Sequence, residues 1–135
     1  MASFGGVDTR LYRGGVGPQV VRSAAGPLAR LLLAPGEAAT ALADDPAVVV
    51  MGTAPGEIAV GPAAARALLE RWRALPMVVL GDSVHEVHTP TYGYAVATIE
   101  MRPPGGGSSE KMLGLIIAVP RGDAWAVVGI HYLPP

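Results

Sequence analysis

The sequence of 135 residues has no cysteine, which excludes disulfide bonds, thiolate metal sites and cysteine nucleophiles. Positive charge is also sparse, because ten lysine and arginine residues face eleven acidic ones and form no cluster among the few aromatic residues. Nucleic-acid binding depends on concentrated positive charge. The sequence therefore predicts no nucleic-acid partner.

Long hydrophobic runs are missing as well. Half of the residues are apolar, but no run approaches the ~18 residues that span a bilayer, and the N-terminus has no stretch of signal-peptide type. These absences predict a cytoplasmic protein with no membrane partner. Residues 1–16 are glycine-rich and aperiodic, so we expect a flexible arm followed by a single domain over 17–135. The preference for alanine, glycine, proline and arginine is typical of a high-GC bacterial coding bias.

Hydrophobic periodicity changes along the chain from helical spacing to strict alternation. Helices are predicted at 18–34, where Gly26-Pro27 should kink or split the helix, and at 36–45 and 62–75. Strands are predicted at 46–51, 77–88, 92–102, 111–120 and 124–133. The last four are joined by short turns, which implies antiparallel pairing. Helices followed by a meander predict an α+β fold, with the helices packed on a curved antiparallel sheet.

The stretch MGTAPGEIAVGP, residues 51–62, has the glycines of a phosphate-binding loop but not its chemistry. It lacks the lysine and hydroxyl of a P-loop, and Glu57 would repel phosphate. Its glycines are too widely spaced for a dinucleotide site. The stretch instead predicts a type II turn at Pro55-Gly56 between two short strands, with Gly61-Pro62 opening a helix. No cofactor is predicted.

The histidines and serines form no recognisable site. His85 and His88 are three residues apart on a predicted strand, so they point to opposite faces and cannot chelate one metal ion. No metal site is predicted. In GDSVH, Asp82, Ser83 and His85 share one extended segment, which does not make a catalytic triad.

Two segments resemble a known superfamily. LADDPAVVVMGTAPGEIAVGPAAARALL combines a short helix, Asp-Asp, a strand ending in Gly-Thr and a Pro-x-Glu before the next helix. RGDAWAVVGIHYLPP places a histidine six residues after a tryptophan, at Trp125 and His131. Both are similar to SnoaL-like proteins of the nuclear transport factor 2-like superfamily. The resemblance implies a cone-shaped α+β barrel. Its strongly curved antiparallel sheet wraps around the N-terminal helices and leaves a pocket inside the cone.

The same resemblance implies which residues line the pocket. Glu100 and Ala126 should face inward, and the candidate ligand-binding residues are Trp72, Tyr94, Val96, Thr98, Ile116, Val128, Ile130 and Tyr132. Arginines that related kinase association domains carry in the cavity are replaced here, which favours a small apolar ligand. Weak catalytic candidates are Asp82, His85 and Glu100, with the register of strand 77–88 left open. Trp125 and His131 should lie on the outer sheet face, at a homodimer interface.

Three functions remain open at this point. The first is a small-molecule binding protein with an apolar cavity inside the cone. The second is an isomerase, cyclase or hydratase that uses acid-base chemistry on an apolar carbonyl compound. The third is a dimeric association module that acts through the outer sheet face without a ligand.

Overall fold

The computed structural model describes residues 18–103 and 105–135, so the arm predicted at 1–16 lies outside the described residues. Within this part of the chain no helix is long and apolar enough to cross a membrane. The elements in order are β1 (Gln19–Val21), α1 (Pro27–Leu32), α2 (Pro35–Thr40), β2 (Val49–Met51), β3 (Ile58–Val60), α3 (Pro62–Arg71), β4 (Met77–Val79), β5 (His85–His88), β6 (Gly93–Met101), β7 (Glu110–Arg121) and β8 (Ala124–Leu133).

The strands form one curved sheet with the order β1-β5-β6-β7-β8-β2-β3, and β4 pairs with β6 beside β5. Strands β5 to β8 form the antiparallel meander that the sequence predicts. The α+β class with helices against a curved sheet is confirmed. One pair differs from the expected antiparallel sheet, because β2 runs parallel to β8.

The strand predicted at 77–88 is broken. Its two halves, β4 and β5, pair with opposite ends of β6, and a turn with Gly81 at φ 56° separates them. Ser83 fills the gap: its hydroxyl accepts from Thr98 N at 3.0 Å and donates to Thr98 O at 3.2 Å. This serine of the GDSVH stretch therefore replaces a missing strand partner.

Proline positions decide how the N-terminal segment folds. The helix predicted from residue 18 is wrong, because β1 occupies its start and pairs with β5. Pro27 is the first residue of α1, and Pro35 both ends that segment and begins α2. A proline at the first helical position sacrifices no hydrogen bond, so the Gly26-Pro27 pair starts a helix here and does not kink one.

The 51–62 stretch has the predicted conformation. Glu57 N donates to Ala54 O at 3.2 Å, and Gly56 has φ 82°, as a type II turn requires at its third residue. Gly61 has φ 91° directly before Pro62, which begins α3. The glycines thus serve a strand–turn–strand–helix connection.

Helix α1 lies on the concave face of the sheet, against β6 and β7. The strand residues that face the helix at its closest approach have small side chains or none. A Cβ added to Gly93 would lie 2.9 Å from Leu28 Cδ1, and one added to Gly114 would lie 3.1 Å from Leu32 Cδ2. The inner side of β6 therefore carries its smallest residues, Gly93, Ala95 and Ala97, and its larger neighbours point outward.

Side chains from the sheet hold both ends of α1. The fully buried Glu86 carboxylate accepts from Leu28 N at 3.2 Å and Ala29 N at 2.8 Å. At the other end, the Tyr132 hydroxyl donates to Leu32 O at 2.5 Å. A carboxylate favours the positive end of a helix dipole, and six residues are too few for an isolated helix. The sheet thus supplies the stability that α1 lacks.

We expect Glu86→Ala to lower the free energy of unfolding by about 3 kcal/mol, because it leaves two buried amide groups without an acceptor. Glu86→Gln keeps an oxygen at the site and should cost roughly half as much. Urea unfolding followed by circular dichroism measures both variants. The control is Glu37→Ala at an exposed position on α2, and its free energy of unfolding should lie within about 0.5 kcal/mol of that of the original protein. A Glu86→Ala variant as stable as this control would show that α1 does not depend on the carboxylate.

Candidate functional site

The centre of the cone is filled by the protein's own side chains. Leu28 and Leu32 of α1 are fully buried, as are Ile99, Ile116 and Ile130 on the strands that face them. Open space lies instead at one end of the cone, where a recess of about 240 Å³ adjoins the core. We call this recess the mouth pocket. Its lining comprises Gly52, Thr53, Ala54, Glu57, Trp72, Leu75, Met77, Met101, Glu110, Met112 and Tyr132.

Two aromatic rings lie at the inner side of the mouth pocket. Trp72 follows the last turn of α3 and meets the Tyr132 ring edge to face, with centroids 5.5 Å apart and planes at 79°. Gly52 makes room for them, since a Cβ there would be 2.7 Å from Trp72 Cζ2 and 2.5 Å from Glu57 Oε1. A glycine at this position therefore leaves an indole edge and a carboxylate side by side at the recess.

The remaining lining is apolar except for two carboxylates. Met77, Met101 and Met112 come from the ends of β4, β6 and β7 that meet at the mouth. Glu57 is oriented by Ala54 N, which donates to its Oε1 at 2.9 Å, and Glu110 lies exposed at the start of β7. Among the described residues that line the recess, none is a lysine, arginine or histidine. The mouth pocket thus combines aromatic and thioether surface with negative charge.

Tyr132 is a structural group despite its position. Burial raises the pKa of its phenol well above the usual value, and the hydroxyl is committed to Leu32 O. An acid-base catalyst needs a pKa near the working pH. The Tyr132 ring can therefore contact a ligand, but its hydroxyl is unsuited to proton transfer near neutrality.

The residues predicted to bind a ligand do not share one surface in the structure. The structure brings Trp72 and Tyr132 to the mouth pocket and places Ile116 and Ile130 in the core. The inward orientation expected for Tyr94, Val96, Thr98 and Glu100 is wrong, because these β6 residues alternate with the buried Gly93, Ala95, Ala97 and Ile99. The physical reason is the close approach of α1, which admits only small residues on most of that face.

A bulge in β8 reverses the faces predicted for its first half. Ile117 pairs with Gly129 and Ala118 with Val127, so Val128 is the extra residue. Ile130 and Tyr132, beyond the bulge, face inward as expected, but the inward orientation expected for Ala126 and Val128 is wrong. Trp125 also contradicts the expectation, because its ring lies on the concave face: a Cβ on Gly93 would be 2.8 Å from Trp125 Cη2. His131 lies on the outer face, opposite Leu115.

None of the three catalytic candidates reaches the concave face. Asp82 is exposed in the turn between β4 and β5, and His85 lies on the outer face with its ring 6.1 Å from that of Tyr94. Glu100 is also outward and pairs with Arg102 at 3.0 Å. The interior carboxylate is Glu86, which also contacts His88 Nε2 at 2.5 Å, beside the Trp125 ring. Glu86 was not among the predicted site residues, because the break between β4 and β5 is not evident in the alternation of 77–88.

Other features of the described residues offer less chemistry. Within 18–103 and 105–135, no three histidine, aspartate or glutamate side chains come together as metal ligands. A wider opening of about 690 Å³ lies between Arg22 and the 81–84 turn, but none of its described lining residues is aromatic. Binding sites usually combine apolar walls with a few converging polar groups. The mouth pocket fits that description better.

Comparisons with known proteins identify the class of fold. The described chain has the cone architecture of nuclear transport factor 2-like (NTF2-like), or cystatin-like, proteins. An NTF2-like protein of unknown function from Pseudomonas putida KT2440 is similar at a TM-score of 0.60 and 17% identity, over 75% of this chain and 72% of that one. No protein-family model and no curated protein matches the sequence.

Two further structures have the same fold. A putative calcium/calmodulin-dependent protein kinase type II association domain from Thiobacillus denitrificans matches with a TM-score of 0.54 and 15% identity, over 72% of this chain and 79% of that one. A hypothetical protein with a ketosteroid isomerase-like fold from Catenulispora acidiphila, in complex with trimethylamine, matches with a TM-score of 0.50 and 12% identity, over 78% and 80%. These likenesses show the fold; the SnoaL-like assignment stays a prediction.

The buried phenol makes stability depend on alkaline pH. The unfolded chain loses the Tyr132 proton near pH 10, whereas the folded protein, with its raised pKa, retains it at that pH. Unfolding therefore releases a proton above about pH 10, and the free energy of unfolding falls as pH rises. Tyr132→Phe should be about 1 kcal/mol less stable at pH 7. Because it has no phenol to ionise at this position, its free energy of unfolding should fall less steeply above pH 10.

Urea unfolding between pH 7 and pH 11 measures the effect, with the exposed Tyr92→Phe as the matched control. We expect the stability gap between the original protein and Tyr132→Phe to close above pH 10, while Tyr92→Phe follows the original protein. A gap that stays constant across this range would contradict the assignment.

Proposed function

We propose that this protein binds a small molecule with an apolar body in the mouth pocket. The single observation that carries the proposal is the recess beside Trp72 and Tyr132, which remains open although the centre of the cone is packed. Its volume lies just below the usual range of about 300–1,000 Å³ for ligand pockets, so the ligand is small. Affinity would come from contact with the rings and the methionine side chains.

The chemistry of the lining supports this proposal. Methionine side chains are flexible and polarisable, so three of them adapt a pocket to an irregular ligand. The neighbour from Catenulispora acidiphila holds trimethylamine, which offers an example of a small organic molecule bound to a protein of this fold. The enzyme alternative draws no comparable support, because Asp82, His85 and Glu100 all lie away from the mouth pocket.

Methionine methyl signals in NMR spectra test the proposal directly. A panel of small organic compounds should include some that shift the signals of Met77, Met101 and Met112 while leaving Met51, which pairs opposite His131, unchanged. Gly52→Ala should weaken binding of those compounds at least about tenfold, because its methyl group intrudes between Trp72 and Glu57. Gly36→Ala, on α2 and away from the pocket, is the matched control.

Two results would contradict this function. One is a panel in which no compound shifts the three methionine signals. The other is binding that Gly52→Ala leaves unchanged while its circular dichroism spectrum shows an intact fold.

We propose self-association through the outer sheet face as a second function. The convex side of β6 and β7 carries a continuous set of apolar side chains, and no described helix covers them: Tyr94, Val96, Leu113, Leu115 and Ile117. Exposed apolar patches of this kind mark interaction sites. A second copy suits the face, because a two-fold axis brings identical patches together and the net charge of −1 gives little repulsion.

Light scattering at micromolar concentration tests this association. We expect a dimer for the original protein and a monomer for Leu115→Glu, which places a charge at the centre of the patch. The control is Ile58→Lys, which changes an apolar side chain that is 61% exposed on the edge strand β3, separated from the patch by β8 and β2. A monomeric original protein, or a dimer that survives Leu115→Glu, would contradict the proposal.

A further inference from the structure

We infer that the mouth pocket selects a small organic cation, such as a tertiary or quaternary ammonium compound, over a neutral molecule of the same shape. This inference rests on the proposed function, since it concerns the ligand of the same pocket. It follows from three features of the described lining: two carboxylates, no basic residue among the lining residues within 18–103 and 105–135, and aromatic and thioether surface.

The carboxylates set the sign of the charge. Glu57 is half-buried and is oriented by Ala54 N, which occupies Oε1. Oε1 lies next to the indole edge of Trp72, as the position of Gly52 shows. Glu110 also lines the recess, at the start of β7 and paired with Met101. A cation between these walls is attracted by both, and an anion is repelled by both.

Three basic residues close in sequence to the lining are directed elsewhere. Arg73 forms its ion pair with Glu70 on the surface of α3 and the turn that follows it, and Arg102 pairs with Glu100 on the outer face. Lys111 lies opposite Glu100, also on the outer face, because successive residues of β7 alternate. The negative charge of the mouth pocket is therefore not neutralised by the lining.

The apolar surface determines which cations fit. A small inorganic cation needs a shell of oxygen ligands, and the described lining offers two carboxylates. An alkylated ammonium group carries its charge inside a shell of methyl groups. It can pack against the edge of Trp72 and the methionine side chains while it remains near the carboxylates.

The test compares choline with 3,3-dimethylbutan-1-ol, which replaces the ammonium nitrogen by carbon and keeps the shape. NMR titration follows the indole N–H signal of Trp72, with Trp125 as the internal control because it lies beside His88 and outside the lining. We expect choline to bind at least ~10-fold more tightly than the alcohol and to shift the Trp72 signal alone.

Carboxylate variants identify the source of the preference. Glu57→Gln and Glu110→Gln should each weaken choline binding about three- to tenfold and change binding of the alcohol less than about twofold. Glu37→Gln on α2 makes the same change in net charge away from the pocket and should leave both affinities unchanged. Because Glu110 is exposed, its variant is expected to fold even where a Glu57 variant does not.

The outcomes separate this inference from the function on which it rests. If the alcohol binds as tightly as choline, the cation preference is overturned and the mouth pocket remains a small-molecule site. If choline affinity is the same in both carboxylate variants as in Glu37→Gln, the preference is likewise overturned. If neither compound shifts the Trp72 signal, and the compound panel also gives no binding, the proposed function fails too.

Discussion

The fixed position of α1 on the sheet is the constraint from which the other features follow. A six-residue helix has little stability of its own, and here Glu86 satisfies amide groups at its start while Tyr132 binds a carbonyl at its end. Leu28 and Leu32 are thereby pressed against Gly93 and Gly114. These side chains fill the centre of the cone, and the mouth pocket lies beyond them at its end.

This arrangement separates structural chemistry from binding chemistry. Glu86 and the Tyr132 hydroxyl are buried and committed to the backbone of α1, so they serve the fold. The groups free to meet a ligand lie at strand and helix ends, where Trp72, Glu57 and Glu110 converge. Both proposed surfaces depend on the sheet: its inner face ends at the mouth pocket, and its outer face carries the apolar patch.

The fold class and several turns could be predicted from the sequence because they follow from local rules. Pro55-Gly56 and Gly61-Pro62 have few conformational choices, and the meander follows from alternation and short turns. The faces of β6 and the first half of β8 could not be predicted this way. A bulge at Val128 shifts the alternation by one residue, and the helix that requires small residues on β6 is distant in sequence. The run Gly93, Ala95 and Ala97 was the available signal for that packing.

The proposed function places a ligand at the mouth of the cone and not at its centre. The most direct measurement is a crystal structure of the protein soaked with small organic compounds at high concentration. We expect density for a bound compound against Trp72, near the β2–β3 turn and the start of β7, with Leu28, Leu32 and Ile116 unmoved. Density for a compound that displaces these three core side chains, with the mouth pocket empty, would contradict it.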